Sequence, residues 1–201
     1  MDWKLMQPLS FILVGVGGQG TILASDLLAE VGLRLGYDVK KAEIHGMSQR
    51  GGSVTSNLRW GEQVFSPIIS KGAADVLIAF EKLEALRFCE YLRPGGLALV
   101  NDYSIVPVTV NTGGSGYPGD DLLRGGLDLV TTDSHWVDGI ALAGAAGNEK
   151  ASNVVMIGAL AELLGLPDAV MQEAIEVRVP GRFLEVNKRA YQAGRQAVAK
   201  A

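Results

Sequence analysis

Apolar residues fill Leu9 and Phe11 to Val14 and then give way to glycines; beyond those, Ile22, Leu23, Leu27, Leu28, Val31 and Leu35 return at helical spacing. A short apolar run followed by a 3.6-residue period predicts a strand, a tight turn and an amphipathic helix. Gly36 stops the helix, and Tyr37 to Ile44 reads as a second strand. His45 to Ser53 is too polar and glycine-rich for regular structure, whereas Ser53 to Trp60 alternates weakly through Val54, Leu58 and Trp60. Gly61-Glu62 is placed to turn this strand back on Gln63 to Phe65 as a hairpin that Pro67 ends.

Asp75 to Phe80 is a continuous apolar run after its first residue, the pattern of a strand buried on both faces. A helix is expected over Glu81 to Leu92, stopped by Pro94-Gly95-Gly96, and Leu97 to Asn101 reads as the next buried strand. Asp102 to Gly126 holds Pro107, Pro118 and six glycines, which suits an irregular excursion or short edge strands. Leu127 to Thr132 reads as a strand and Ser134 to Ala146 as a helix. From Ser152 the pattern is helical to Ala199, broken only near Gly165-Leu166-Pro167 and Pro180. Strands alternating with helices predict an α/β fold, a three-layer Rossmann-like domain with a mostly parallel sheet and a helical C-terminal segment. One domain is expected over residues 1–201, with 151–201 its helical part; no repeat or low-complexity tract interrupts it.

Composition narrows the function. The chain has 201 residues, 48% of them hydrophobic, enough for a full core. A net charge of −4 with scattered Lys and Arg argues against a nucleic-acid footprint. The N-terminal apolar run is broken by glycines and passes into a helix carrying Asp26 and Glu30, so neither a signal peptide nor a membrane span fits. A cytoplasmic protein is the expectation. The lone Cys89 can form no internal disulfide and cannot supply the four thiolates that an iron–sulfur cluster normally takes. With Leu83, Leu86 and Leu92 it falls on one helical face, as core filler does.

Gly15, Gly17 and Gly20 stand in G-x-G-x-x-G spacing. Glycine fills 26 of 201 positions, so this spacing arises by chance roughly 0.4 times in such a chain. Its strand-before, helix-after context gives it weight, because phosphates then meet free N–H groups at a helix N-terminus. The same glycines equally serve a close strand-to-helix crossing with no ligand. Glu43, about 20 residues on, sits where a dinucleotide fold places its ribose acid, or is a solvated strand-end carboxylate. His45 has no partner base or nucleophile near it in the sequence. Arg50, between polar residues and Gly51-Gly52, suits bidentate capture of an anion or a surface ion pair. With only His45 and His135 as histidines, no metal-ligand spacing is visible, and neither a nucleophile elbow nor a phosphate-loop lysine is present. No catalytic residue and no metal ligand is assigned.

G-V-G-G-Q-G-T-I-L-A-S from Gly15 and A-E-I-H-G-M-S-Q-R-G-G-S-V from Ala42 together resemble the gamma-type domain of thiamine-diphosphate-dependent 2-oxoacid:ferredoxin oxidoreductases, most closely its indolepyruvate type. Further matches are Y-L-R-P-G-G from Tyr91, A-S-N-V-V-M-I-G-A-L from Ala151 and V-P-G-R-F-L-E-V-N from Val179. The resemblance covers nearly the whole chain, least well over Asp102 to Gly126. It implies a subunit of an enzyme that turns a 2-oxoacid and coenzyme A into acyl-CoA, CO2 and reduced ferredoxin. Thiamine diphosphate, Mg2+ and [4Fe–4S] clusters are then expected on a large alpha subunit, none on this chain alone. The resemblance further implies a hetero-oligomer in which Gly15, Gly17, Gly18, Gln19 and Gly20 with Ser48, Gln49, Arg50, Gly51 and Gly52 form the contact edge that closes the partner's active site or its coenzyme A channel; the specific expectation is that Arg50 and the Gly17 to Gly20 amides hold an anionic group such as the coenzyme A pyrophosphate. An NAD(P)-dependent dehydrogenase and a ligand-free assembly subunit are the two competing readings.

Overall fold

The computed structural model describes residues 8–45, 52–106 and 116–199. Strand β1 (Leu9–Val16) passes through the glycine turn into α1 (Thr21–Arg34), and β2 (Asp38–His45) and β3 (Ser53–Gly61) follow. After β4 (Ala74–Ala79), α2 (Lys82–Phe88) and a 3-10 turn (Cys89–Tyr91) lead to β5 (Leu92–Asn101). Next come α3 (Asp120–Asp128), β6 (Ser134–Val137), α4 (Gly139–Ala146), α5 (Ser152–Leu164), α6 (Asp168–Arg178) and α7 (Leu184–Val198).

The six strands form one sheet in the order β2-β3-β1-β4-β5-β6. β1, β4, β5 and β6 pair in parallel, while β3 is antiparallel to both β1 and β2. Five strands therefore share one direction, and the α/β, mostly parallel expectation holds. Alternation along β1 divides the core: Phe11 and Leu13 face α1, α4, α5, α6 and α7, and Ile12 and Val14 face α2 and α3. The result is three layers, with the first face much more deeply covered.

Helix α5 shows how deep that cover is. Ser152 through Ala161 are all buried, because α5 packs on α7, α4, α1 and β5. Its crossing with α7 leaves no space between backbones. A Cβ on Gly158 would lie 2.0 Å from the Tyr191 carbonyl oxygen, and one on Gly194 would lie 1.9 Å from that of Val155. The small residues at these positions set the interhelical distance.

Several expectations give way. The strand expected from Ser53 is present, nine residues long and inserted between β1 and β2, but Gln63 to Phe65 form no returning strand. Two flanking strands already satisfy β3, so nothing remains for such a hairpin to pair with. The Glu81 to Leu92 helix ends at Phe88, and β5 begins at Leu92 with a register shift against β4 that accommodates Pro94-Gly95-Gly96. Leu127 to Thr132 is not a strand: Leu127 joins Leu123 on the buried face of α3, a helix that starts inside the Asp102 to Gly126 stretch read as irregular, and Leu129 is exposed. Ser134 to Ala146 divides into β6 and α4, where the Asp138 carboxylate accepts the Ala141 amide and starts the helix.

Candidate functional site

All parallel strands end at one edge, and there the two motif regions meet. The Gly17 amide donates to the Gly52 carbonyl at 2.9 Å, so the glycine turn and the last residue of the R-G-G block touch directly. Gly15, Gly17, Gly18, Gln19, Gly20 and Gly52 are thus brought together. Ser48, Gln49, Arg50 and Gly51 lie outside the described residues, as does the side chain of His45.

The turn is shaped largely by its own side chains. Gln19 Oε1 accepts the Val16 amide at 2.7 Å and Gln19 Nε2 donates to the Phe80 carbonyl at 2.7 Å. Its carboxamide thereby covers Gly15, where an added Cβ would lie 2.9 Å from Gln19 Oε1 and 3.0 Å from Thr21 Oγ1. The Thr21 hydroxyl is buried beside it without a hydrogen-bond partner. Of the four amides from Gly17 to Gly20, Gly17 donates to Gly52 and Gln19 donates to Val16 at 3.1 Å. Among the described residues only those of Gly18 and Gly20 carry no bond. The cradle expected for a pyrophosphate is therefore half filled from within, since two of its four amides and the space above Gly15 are already used.

Gly20 is fixed from the far side. It caps α1 in the left-handed region at φ 79°. Asn153, at the start of α5, donates Nδ2 to the Gly20 carbonyl at 3.1 Å, and a Cβ on Gly20 would lie 2.3 Å from that nitrogen. The A-S-N segment thus has a clear duty: it braces the turn from behind.

Sequence reasoning missed two buried acids at this edge. Glu81 is 1% and Glu84 2% exposed. Glu81 Oε2 accepts the Glu84 amide at 2.9 Å and caps α2, while Oε1 accepts the Ile105 amide at 3.1 Å and the Tyr117 hydroxyl. Burial, and next the bond to Glu81, push the Tyr117 phenol up to about 12. Glu84 accepts the Ser53 hydroxyl on Oε2 and Arg87 Nη1 at 2.8 Å on Oε1. The E-x-x-E spacing at a helix start was the available signal, but it marks a cap without telling that both carboxylates are enclosed. Asn101 completes the edge by donating to the Phe80 carbonyl at 3.1 Å and accepting the Gly139 amide at 2.9 Å.

Glu43 does not occupy a ribose-acid position. The strand beside β1 on that side is β3, so Glu43 on β2 is two strand spacings, roughly 10 Å, from β1. Its carboxylate pairs with Lys41 at 2.6 Å. Burial opposes the Lys41 charge, but Asp26 and Glu43 outweigh it and raise its pKa. Among the described residues, no group of three His, Cys, Asp or Glu could hold a metal ion, and no helix is long and apolar enough to cross a membrane. Cys89 is half-buried, and its thiol is pushed up by that burial and by Glu90.

Comparison with known proteins agrees with this architecture. The family described as pyruvate ferredoxin/flavodoxin oxidoreductase matches residues 10–197. Indolepyruvate oxidoreductase subunit IorB of Thermococcus kodakarensis is 40% identical over 198 residues, 96% of each chain. The IorB subunit of Methanothermobacter thermautotrophicus is 34% identical, covering 92% of this chain and 95% of the relative. Among solved structures, the gamma subunit of a keto/oxoacid ferredoxin oxidoreductase from Geobacter sulfurreducens shares the fold with a TM-score of 0.71 at 24% identity, over 96% of this chain and 99% of that one. Matched by that family over residues 10–197 and by these relatives over nearly its whole length, the chain belongs to the pyruvate ferredoxin/flavodoxin oxidoreductase family.

Proposed function

We propose that this chain is the small subunit of an indolepyruvate-type 2-oxoacid:ferredoxin oxidoreductase, and that the edge built by Gly17–Gly20 and Gly52–Ser53 closes the coenzyme A side of the large subunit's site. The observation that carries the reading is the 2.9 Å bond from Gly17 to Gly52, which makes one surface of two segments distant in sequence. The indolepyruvate assignment follows the IorB relatives, 38–40% identical over 96% of this chain. A solved relative at 18% identity, 2-oxoglutarate:ferredoxin oxidoreductase from Magnetococcus marinus, carries coenzyme A and matches this chain over 32% of its own length.

The residues present do not fit the family's redox groups. One half-buried cysteine cannot ligate a [4Fe–4S] cluster, and the glycine corner is occupied by the Gln19 carboxamide. Thiamine diphosphate, Mg2+ and the clusters are therefore assigned to the large subunit, which passes electrons to ferredoxin in the cytoplasm. What this chain contributes is shape and donors: the amides of Gly18 and Gly20, together with the positive charge that Arg50 brings in sequence for an anionic group of coenzyme A.

Purified alone, the chain should turn over no 2-oxoacid; assembled with the large subunit, it should support coenzyme A-dependent reduction of ferredoxin by indolepyruvate. Arg50→Ala should assemble normally and raise KM for coenzyme A. Turnover by the isolated chain, or an unchanged KM in Arg50→Ala, would refute the reading. The inward-folded Gln19 favours one rival, a subunit that assembles the enzyme but touches no small ligand. In that case activity would survive alteration of both glycine segments as long as the complex held.

A further inference from the structure

A chain of contacts runs around the corner where the turn, the end of the R-G-G block and α2 meet. Gly17 donates to the Gly52 carbonyl at 2.9 Å, and the next residue, Ser53, donates its hydroxyl to Glu84. The Glu84 amide donates to Glu81 at 2.9 Å. Glu81 follows Phe80, whose carbonyl receives Gln19 at 2.7 Å, and Gln19 returns to Val16 at 2.7 Å. The glycine turn is thereby gripped from two sides.

Neither helix nor strand formation requires the bond between Glu84 and Ser53. Glu81 already caps α2, and β3 is set by eight paired positions with β1 and eight with β2. Enclosing a carboxylate to 2% exposure is nonetheless costly unless its bonds are well placed. One oxygen of Glu84 takes its partner from three residues along its own helix, Arg87, whereas the other reaches back 31 residues to Ser53.

We propose that Glu84 is a positioning residue: through Ser53 it fixes where the chain passes from Gly52 into β3, and hence the setting of the Gly17–Gly20 turn that meets coenzyme A. This inference rests on the edge reading above. Glu84 itself is enclosed and acts through Ser53.

The test uses Ser53→Ala, Glu84→Ala, Glu84→Gln and the Ser53→Ala/Glu84→Ala double variant, each assembled with the large subunit. Both single alanine variants should raise KM for coenzyme A by a similar factor, roughly tenfold for the loss of one charge-assisted hydrogen bond, with kcat little changed. The double variant should be no worse than either single. Glu84→Gln, whose amide oxygen still accepts from Ser53, should restore KM to near wild type. Hydrogen exchange at the Gly17 amide should accelerate in the alanine variants and not in Glu84→Gln. Multiplying rather than overlapping effects in the double variant, or unchanged Gly17 exchange in Ser53→Ala, would overturn the proposal. Ser53→Ala is mild enough to carry the test if Glu84→Ala does not fold.

A separate probe, Ile22→Lys, lies on the exposed first turn of α1 beside the corner. If it alters neither association with the large subunit nor KM for coenzyme A, the edge reading itself has failed. If it alters them while the Ser53 and Glu84 variants do not, only the positioning role is lost.

Discussion

Replacing Gly20 by alanine separates two reasons for a glycine in the motif. The residue sits at φ 79°, where a Cβ costs about 1–2 kcal/mol. That Cβ would also lie 2.3 Å from Asn153 Nδ2, so the carboxamide must swing away and give up its 3.1 Å bond to the Gly20 carbonyl. Losing a hydrogen bond at a partly buried site adds about 1–3 kcal/mol. Gly20→Ala should therefore destabilise by about 2–5 kcal/mol, or roughly 5–15 °C in Tm for a chain of this size. In an Asn153→Ala background the obstacle is gone, and the same substitution should cost only the backbone share, about 1–2 kcal/mol. Urea denaturation of the four proteins in a double-mutant cycle reads the difference directly. An equal penalty in both backgrounds would show that Asn153 does not brace the turn. No penalty in either would dismiss the backbone argument as well.

Three further outcomes are expected. Gly158→Ala should cost more than 4 kcal/mol on the order-of-magnitude scale of core overpacking and lost crossings, because the obstacle is the Tyr191 backbone and no rotamer relieves it; a soluble variant with near-native Tm would contradict the described α5–α7 contact. Gln19→Ala should cost about 1–3 kcal/mol by leaving the Val16 amide without its acceptor and the Phe80 carbonyl with Asn101 alone, measured by urea denaturation, and unchanged stability would mean the side chain points elsewhere in solution. The Tyr117 phenol, raised from 10.0 to about 12, holds its proton more tightly in the folded chain. Its contribution to stability is complete below pH 10 and is lost as pH rises towards about 12. Phenolate absorbance should show that late titration, and Tyr117→Phe should flatten the alkaline decline in stability.

The strand, turn and helix from Leu9 to Leu35 were legible because their apolar spacing is local and strong. Strand order was not, because nothing in Ser53 to Trp60 says which neighbours it will pair with; only the folded sheet shows that β3 separates β2 from β1. That insertion is also what removes Glu43 from a nucleotide-binding role. Around Leu127 a run of apolar residues suggested a strand, but Leu123 and Leu127, four apart, had already chosen a helical face. At the edge itself the glycines were found by spacing, whereas the inward turn of Gln19 was not: a flexible amide in a polar loop gives no sign that it will bond to Phe80, 61 residues away. Glu81 and Glu84 were hidden for a related reason. Their enclosure depends on Ser53, Ile105 and Tyr117, which only tertiary structure brings near.

Because β3 runs against both neighbours, the connection from β2 to β3 leaves and returns at the same edge, and each of its anchoring strands is locked by eight paired positions. Length and composition of that connection can thus vary without disturbing the layers beneath it. The sheet serves as a fixed handle with an exchangeable tip, a layout in which a few residues can be rewritten while the layered core that carries them stays as it is.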